Sequence, residues 1–317
     1  MSVPWLEGPM RALAAARAAG RVPHALLIHA AAGTGGEWLA SWSAQLLLCK
    51  SAAQAPCGAC LACRQVAEQT HPDLQWVRPI EDSQQIRIEQ IRETTAELML
   101  TSHQGGYKIA ILSPADVLNR FAANALLKTL EEPPLRTLIV LVSGEPSRLP
   151  ATLVSRCQRL RVRPPTRAQS LEWLERTRGA ADWASVLDVI GEAPFAAAEY
   201  DPALVARLRG EVLEGLKGLP RGGADAALLA ERWARAELPL RLACIENWLT
   251  ERIRRGLLTR TQRAELRGSA HTGRGDSVIN TAALFQALDG VRELKSALGT
   301  PINRALALES LLRSLHA

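Results

Sequence analysis

Four cysteines fall within residues 49–63: Cys49, Cys57, Cys60 and Cys63. The last three follow one another at intervals of three, and the gap back to Cys49 is a loop whose length can vary. A CxxC spacing folds a tight knuckle, and Cys60 and Cys63 can share one helix face. Four thiolates this close can reach a single tetrahedral Zn²⁺. A thioredoxin-like pair needs only two cysteines, and an iron–sulfur cluster would use the same four. The clustering of four favours zinc. Four protein ligands leave no open coordination position, so such a site is structural rather than catalytic. His71 is near in sequence, but His71-Pro72-Asp73 reads as a loop entering a strand.

A second constellation is Gly33-Thr34-Gly35-Gly36, which follows the apolar run Ala25–His29 and precedes a helical stretch. A strand, a glycine-rich turn and a helix N-terminus together cradle phosphate through backbone N–H groups. In the pattern GxxxxGK[ST], the Lys reaches the β/γ-phosphates and the hydroxyl holds Mg²⁺. Aligned on Gly33-Thr34-Gly35, the first Gly is Ala30, the Lys position holds Gly36 and the hydroxyl position holds Glu37. A carboxylate at Glu37 repels polyphosphate. Such ATPases also end an apolar strand in an acidic pair that serves Mg²⁺ and water. Here Ile109-Ala110-Ile111-Leu112 ends in Ser113-Pro114. Asp116 lies too far along and reads as the N-cap of the next helix. The expectation is a phosphate-loop architecture that binds no nucleotide.

The elements that must position these residues alternate. Strands are expected at Ala25–His29, Leu74–Val77, Lys108–Leu112, Thr137–Val142 and Cys157–Val162. Helices are expected over Arg11–Ala19, over Leu39–Leu48, over a stretch that holds Ile86, Ile88, Ile91, Leu98 and Leu100 and ends near Gly105-Gly106, and over Asp116–Glu132, the last stopped by Pro133-Pro134. Short apolar strands alternating with helices imply a parallel sheet covered on both faces. Pro164-Pro165 closes this region. A small helical module is expected to about Tyr200, and a larger one from Asp201 to Ala317, with Leu242, Ile245, Leu249 and Ile253 at helical spacing. Gly268 to Gly275 reads as a mobile loop, and Thr300-Pro301 as the opening of the last helix.

A chain of 317 residues exceeds one compact core. Apolar residues make up 47% and aromatics 4%, so Ala and Leu must do most of the packing. The net charge of +6 is a mild basic excess, and Lys is scarce. That balance opposes a stand-alone zinc-dependent DNA-binding protein, though nucleic acid nearby is compatible with it. No apolar run approaches a spanning helix and no signal peptide is evident, so a soluble cytoplasmic protein is expected. In that compartment the cysteines are not expected to form disulfides.

The segment Asn124-Ala125-Leu126-Leu127-Lys128-Thr129-Leu130-Glu131-Glu132-Pro133-Pro134 resembles the signature of bacterial DNA polymerase III clamp-loader subunits. Ser155-Arg156-Cys157 is similar to a motif that these subunits share, and Leu149-Pro150-Ala151-Thr152-Leu153 also fits. The resemblance is close over about residues 20–165, with Pro301-Ile302-Asn303-Arg304 similar near the end. Within the family the gamma/tau branch keeps an intact phosphate loop and acidic pair. The delta-prime branch has degenerate ones, as Gly36, Glu37, Ser113 and Pro114 are here.

The resemblance implies an α/β AAA+ domain with a RecA-like parallel sheet and a zinc insert over residues 1–164, a helical lid over 165–200, and an all-α collar over 201–317. It implies a hetero-oligomer with gamma/tau and delta subunits that loads the β sliding clamp onto primer-template DNA, away from membranes, within the DNA polymerase III holoenzyme. This chain would hydrolyse no ATP. Arg156 would point across an interface into the neighbour's ATP site, where a planar guanidinium stabilises charge on the transferred phosphoryl group. The competing expectation is an active gamma/tau-like ATPase.

Overall fold

The computed structural model describes residues 2–51, 54–80, 83–219, 224–257, 281–300 and 302–315. The chain packs as two units, one formed by Met1–Gly179 with Glu192–Glu199, the other by Ala180–Gly191 with Tyr200–Ala317.

The first unit is built on five parallel strands: β1 (Ala25–His29), β2 (Leu74–Val77), β3 (Lys108–Leu112), β4 (Thr137–Ser143) and β5 (Gln158–Arg161). Their order is β2-β3-β4-β1-β5. Every residue of β3 and β4 is buried, as a sheet between two helical layers requires. The edge strand β5 is largely exposed. Helices α1 (Glu7–Ala18), α2 (Gly36–Leu48), α3 (Leu61–Ala67), α4 (Ile88–Met99), α5 (Arg120–Glu131) and α6 (Ala151–Val154) belong to this unit, joined by α7 (Arg167–Arg178) and the short α9 (Pro194–Ala197). On one face, α5 buries Ala122, Ala123, Leu126 and Leu130 in a core with Leu27, Ala110, Ile139 and Leu141. Three central strands thus deliver their carboxyl ends to one edge, where ligands of open α/β sheets bind.

One expected helix divides. The stretch Asp116–Glu132 is a single 3₁₀ turn (Ala115–Val117), an extended Leu118, and then α5. Leu118 leaves the helical path because its neighbourhood pairs with Ile86, whose N–H donates to Val117 O at 3.1 Å. The N-cap of α5 is Asn119, which accepts the Ala122 N–H at 2.8 Å. Asp116 is therefore not that cap.

The second unit holds α8 (Trp183–Ile190), α10 (Pro202–Gly218), α11 (Ala224–Arg235), α12 (Leu238–Leu257), α13 (Thr281–Ala297) and α14 (Arg304–Ser314). Within it, α12 packs against α8, α10 and α13, and α11 against α14. Leu242, Ile245, Leu249 and Ile253 all face inward along α12, as their spacing predicts. The last helix opens differently from the expectation. Asn303 is its N-cap, accepting the Leu306 N–H at 3.1 Å, while Thr300 turns back and donates its hydroxyl to Ala297 O. Thr300 thus closes the preceding helix. Pro301 and the stretch Gly268 to Gly275 lie outside the described residues.

Candidate functional site: a filled phosphate loop, a cysteine cluster and an edge arginine

The turn from β1 to α2 has the backbone of a phosphate loop. Gly33 and Gly35 take φ of +71° and +98°, the left-handed region that glycine enters without strain, and α2 starts at Gly36. The chemistry on that backbone is replaced position by position. A Cβ added at Gly36 would lie 2.8 Å from Ala30 Cβ and 3.0 Å from Val142 Cγ1. The Lys position therefore has no room for a side chain, and the methyl that fills it belongs to the residue standing in place of the motif's first glycine. The two losses are complementary.

The hydroxyl and carboxylate of a metal-nucleotide site have changed places. Glu37, at the hydroxyl position, accepts the Ser113 hydroxyl at 2.7 Å, and Ser113 ends β3 where a carboxylate would stand. Arg78 holds the other Glu37 oxygen at 3.2 Å and lies 4.3 Å from the centre of the Trp76 ring.

The outer side of the loop is covered by the chain itself. Phe195 donates its N–H to Gly33 O at 2.9 Å, and the Trp5 indole donates to Thr34 O at 2.8 Å. A Cβ at Gly35 would lie 2.6 Å from the Phe195 ring, and one at Gly33 would lie 2.7 Å from Ala196 Cβ. Trp5, Trp173 and Phe195 form an aromatic group, with Trp173 and Phe195 centroids 4.7 Å apart. What remains is a cavity of about 500 Å³ lined by Glu37, Asp116 and Glu199, with no Lys or Arg among its described lining residues. Asp116 accepts the Gly144 N–H at 2.8 Å, the Glu145 N–H at 3.3 Å and the Ser143 hydroxyl, pinning the turn after β4.

Cys49, Cys57, Cys60 and Cys63 converge, with all four sulfurs within 4.8 Å of one another. Neighbouring sulfurs lie at 3.5, 3.9 and 4.0 Å. A tetrahedral thiolate centre with metal–sulfur bonds of about 2.3 Å has sulfur–sulfur edges of about 3.8 Å, whereas a disulfide needs about 2.05 Å. Backbone N–H groups of Cys57, Cys60 and Cys63 each donate to the preceding cysteine's sulfur at 3.4 Å. The Cys63 N–H and neighbouring hydrogen bonds hold the Cys60 thiol down to about 6, and the Cys60 N–H lowers Cys57. Burial pushes Cys63 up to about 12. The group can hold a metal ion, and binding would displace the Cys63 proton. Gln45 of α2 donates to Cys63 O at 3.0 Å, and Lys50 to Gln104 O at 2.8 Å, tying the insert to the sheet domain. Asp73 fixes the same loop by accepting from Ser102 and from the His103 and Gln104 N–H groups.

Arg156 follows α6, immediately before the edge strand. Its guanidinium donates to Thr152 O at 2.8 Å and pairs with Glu131 at 2.7 Å. Its side chain is 36% exposed. Cys157 is buried, and burial pushes its thiol up to about 11, so it is a packing residue.

The sequence singles out the loop and the cysteines that the fold brings together, and it marks Arg156 and Glu131 only within their motifs, not as a pair. Trp5, Trp173 and Phe195 carry no such signal. No spacing rule links Phe195 to Gly33, because only the tertiary fold brings them together.

A five-stranded parallel sheet in this order with a phosphate-loop turn, followed by a helical region, is the architecture of an AAA+ chain. The family described as "DNA polymerase III, delta subunit" matches residues 6–166. The DNA polymerase III subunit delta-prime of Pseudomonas aeruginosa is 39% identical over 229 residues, covering 71% of this chain and 70% of that one. The Escherichia coli delta-prime subunit is 39% identical over 174 residues, 55% of this chain and 52% of its own length. A solved DNA polymerase III gamma subunit-related protein from Thermotoga maritima shares the fold, with a TM-score of 0.52, 18% identity and 98% of each chain covered. The chain belongs to the DNA polymerase III delta-prime family.

Proposed function

We propose that the chain is a non-hydrolysing subunit of a DNA polymerase III clamp loader. It assembles with gamma/tau and delta subunits in the cytoplasm and assists ATP-driven loading of the β sliding clamp onto primer-template DNA through the complex. The observation that carries this reading is the phosphate loop. Its Lys position is packed shut by Ala30 and Val142, its mouth is covered by Phe195, and carboxylates line what remains. Triphosphate binding depends on charge-assisted contacts from Lys and a metal held by carboxylates. None of those donors stands where it would be needed.

Arg156 is the proposed contribution to catalysis, acting in trans on the neighbouring gamma/tau ATP site. It is half-buried, with its side chain 36% exposed, and it lies just before the edge strand β5. Zn²⁺ is the metal we assign to Cys49, Cys57, Cys60 and Cys63, on the donor set and the spacing of the sulfurs, and its role is structural. The division of labour we propose is a sheet module over 1–164, a lid over 165–200 and an oligomerising collar over 201–317. Only the shared architecture supports the alternative of an active gamma/tau-like ATPase.

The test is Arg156→Ala in the reconstituted loader, with assembly verified by gel filtration. Losing a principal arginine finger costs on the order of 10³–10⁵ in rate. The loader as a whole should lose less, because other sites keep their own. Arg156→Lys should rescue poorly, since an ammonium lacks the planar fork. Arg159→Ala, nearby on the exposed strand, should be mild. Equal ATPase and loading rates for wild type and Arg156→Ala would contradict the role in trans.

A further inference from the structure

Glu131 is the last residue of α5, and a carboxylate is unfavourable there. The unsatisfied carbonyls of a helix C-terminus carry partial negative charge, and that end prefers cations. Helix stability does not account for it. What offsets the repulsion is Arg156, whose guanidinium lies 2.7 Å from Glu131 Oε1. The same guanidinium donates from its other amino group to Thr152 O at 2.8 Å and to Ser155 Oγ at 3.4 Å. Two elements therefore grip Arg156, α6 through a backbone carbonyl and α5 through a charge. Among the described residues no acceptor lies within hydrogen-bond distance of Arg156 Nε. Nε and the second N–H of the amino group that faces Glu131 remain available for an oxyanion brought by another molecule.

The grip has a rigid base. α5 is anchored by Leu126, Leu130 and Ala122, each at most 2% exposed, so Glu131 projects from a helix packed into the core. An unpaired arginine loses rotamer freedom when it engages phosphate, whereas one already held loses less.

We propose that Glu131 is a positioning residue for Arg156, preorganising its guanidinium for the γ-phosphate oxygens of the neighbouring subunit's nucleotide. This inference rests on the trans role of Arg156 proposed above. Glu131 touches neither substrate nor metal. Its effect belongs to kcat, because the phosphoryl charge that Arg156 meets grows in the transition state, and ATP affinity at the neighbouring site should be untouched.

The experiment is a double-mutant cycle in the full reconstituted loader, with ATPase kcat and KM measured for wild type, Glu131→Ala, Arg156→Ala and both together. Glu131→Ala should remove about three- to tenfold of the ATPase that depends on Arg156, with KM unchanged. Glu131→Gln keeps an acceptor for the guanidinium and should recover most of that loss. In the Arg156→Ala background, Glu131→Ala should have no further effect. A normal kcat for Glu131→Ala, beside a depressed one for Arg156→Ala, would overturn the positioning role and leave the trans role standing. Equal fold-losses for Glu131→Ala in both backgrounds would mark a merely structural residue and also overturn it. A normal kcat for Arg156→Ala would sink the trans role and the inference together.

Discussion

The turn between β1 and α2 keeps the backbone of a phosphate site and none of its side-chain chemistry. Residues 49–63 do the reverse, keeping a complete set of metal donors on a segment with one short helix alongside. The loop survives because the sheet holds it. Ile28, Leu39, Ala40 and Val142 are buried around it, and Phe195 and Trp5 bond its carbonyls, so its shape needs no ligand. The cysteine segment has few buried apolar side chains, and its convergence is worth little without a metal to repay the ordering of the chain. A backbone can outlive its chemistry when packing supports it, whereas a donor set without a core stands or falls with its ligand.

Cys60→Ser should break the second half of that comparison most severely. Metal analysis should fall from one zinc per chain towards none, and the domain should lose several kcal/mol of the ~10–16 kcal/mol that structural zinc contributes in small domains. Full zinc content with an unchanged melting curve would dismiss the site. Zinc affinity should also fall as pH drops, because protons compete with the metal for the four thiolates.

Trp5→Ala tests the first half. Trp5 is 8% exposed and joins Trp173 and Phe195 over the loop, so truncation should cost about 3–5 kcal/mol in denaturant unfolding. Phe195→Ala sharpens the point. It should open the mouth of the cavity without restoring ATP binding, because no cation returns. Micromolar ATP affinity in that variant would make the plug, rather than the lost donors, the cause.

Much of this was legible in the sequence. Four of the five strands begin where their apolar runs begin and end within a residue of the expected bounds, since a buried parallel strand must be apolar throughout. The cysteines declared themselves by spacing alone. Asp116 was misread because a single turn of 3₁₀ helix and an extended Leu118 look helical in composition, while its true partners, Ser143, Gly144 and Glu145, lie on another strand's loop. Thr300 failed as a cap for a similar reason, since Asn303 supplies the same chemistry three residues later. The pairing of Ala30 with Gly36 and the plug by Phe195 are facts of packing, which no local pattern encodes.

Two smaller effects refine the comparison. Asp73→Ala should cost about 1–3 kcal/mol by removing the buried carboxylate to which Ser102, His103 and Gln104 donate beside the cysteine module. Burial works to raise the Asp73 carboxyl, but the His103 and Gln104 N–H groups and Ser102 hold it below its ordinary value of 3.8. A depressed carboxylate stabilises at every pH above the unfolded value and loses that contribution as pH falls through the folded one. The wild-type advantage over Asp73→Ala should therefore be constant at neutral pH and fade only below about 3.8. Gly36→Lys, which rewrites the motif, should destabilise by about 1–3 kcal/mol through overpacking against Ala30 and Val142. A gain of nucleotide binding in that variant would contradict the account of the filled Lys position.

The most direct measurement is titration calorimetry of ATP–Mg²⁺ into the isolated full chain. The account predicts no heat of binding at micromolar to millimolar nucleotide, because the described residues that line the cavity behind Gly33–Gly36 include three carboxylates and no Lys or Arg. A saturable isotherm with micromolar affinity would contradict it.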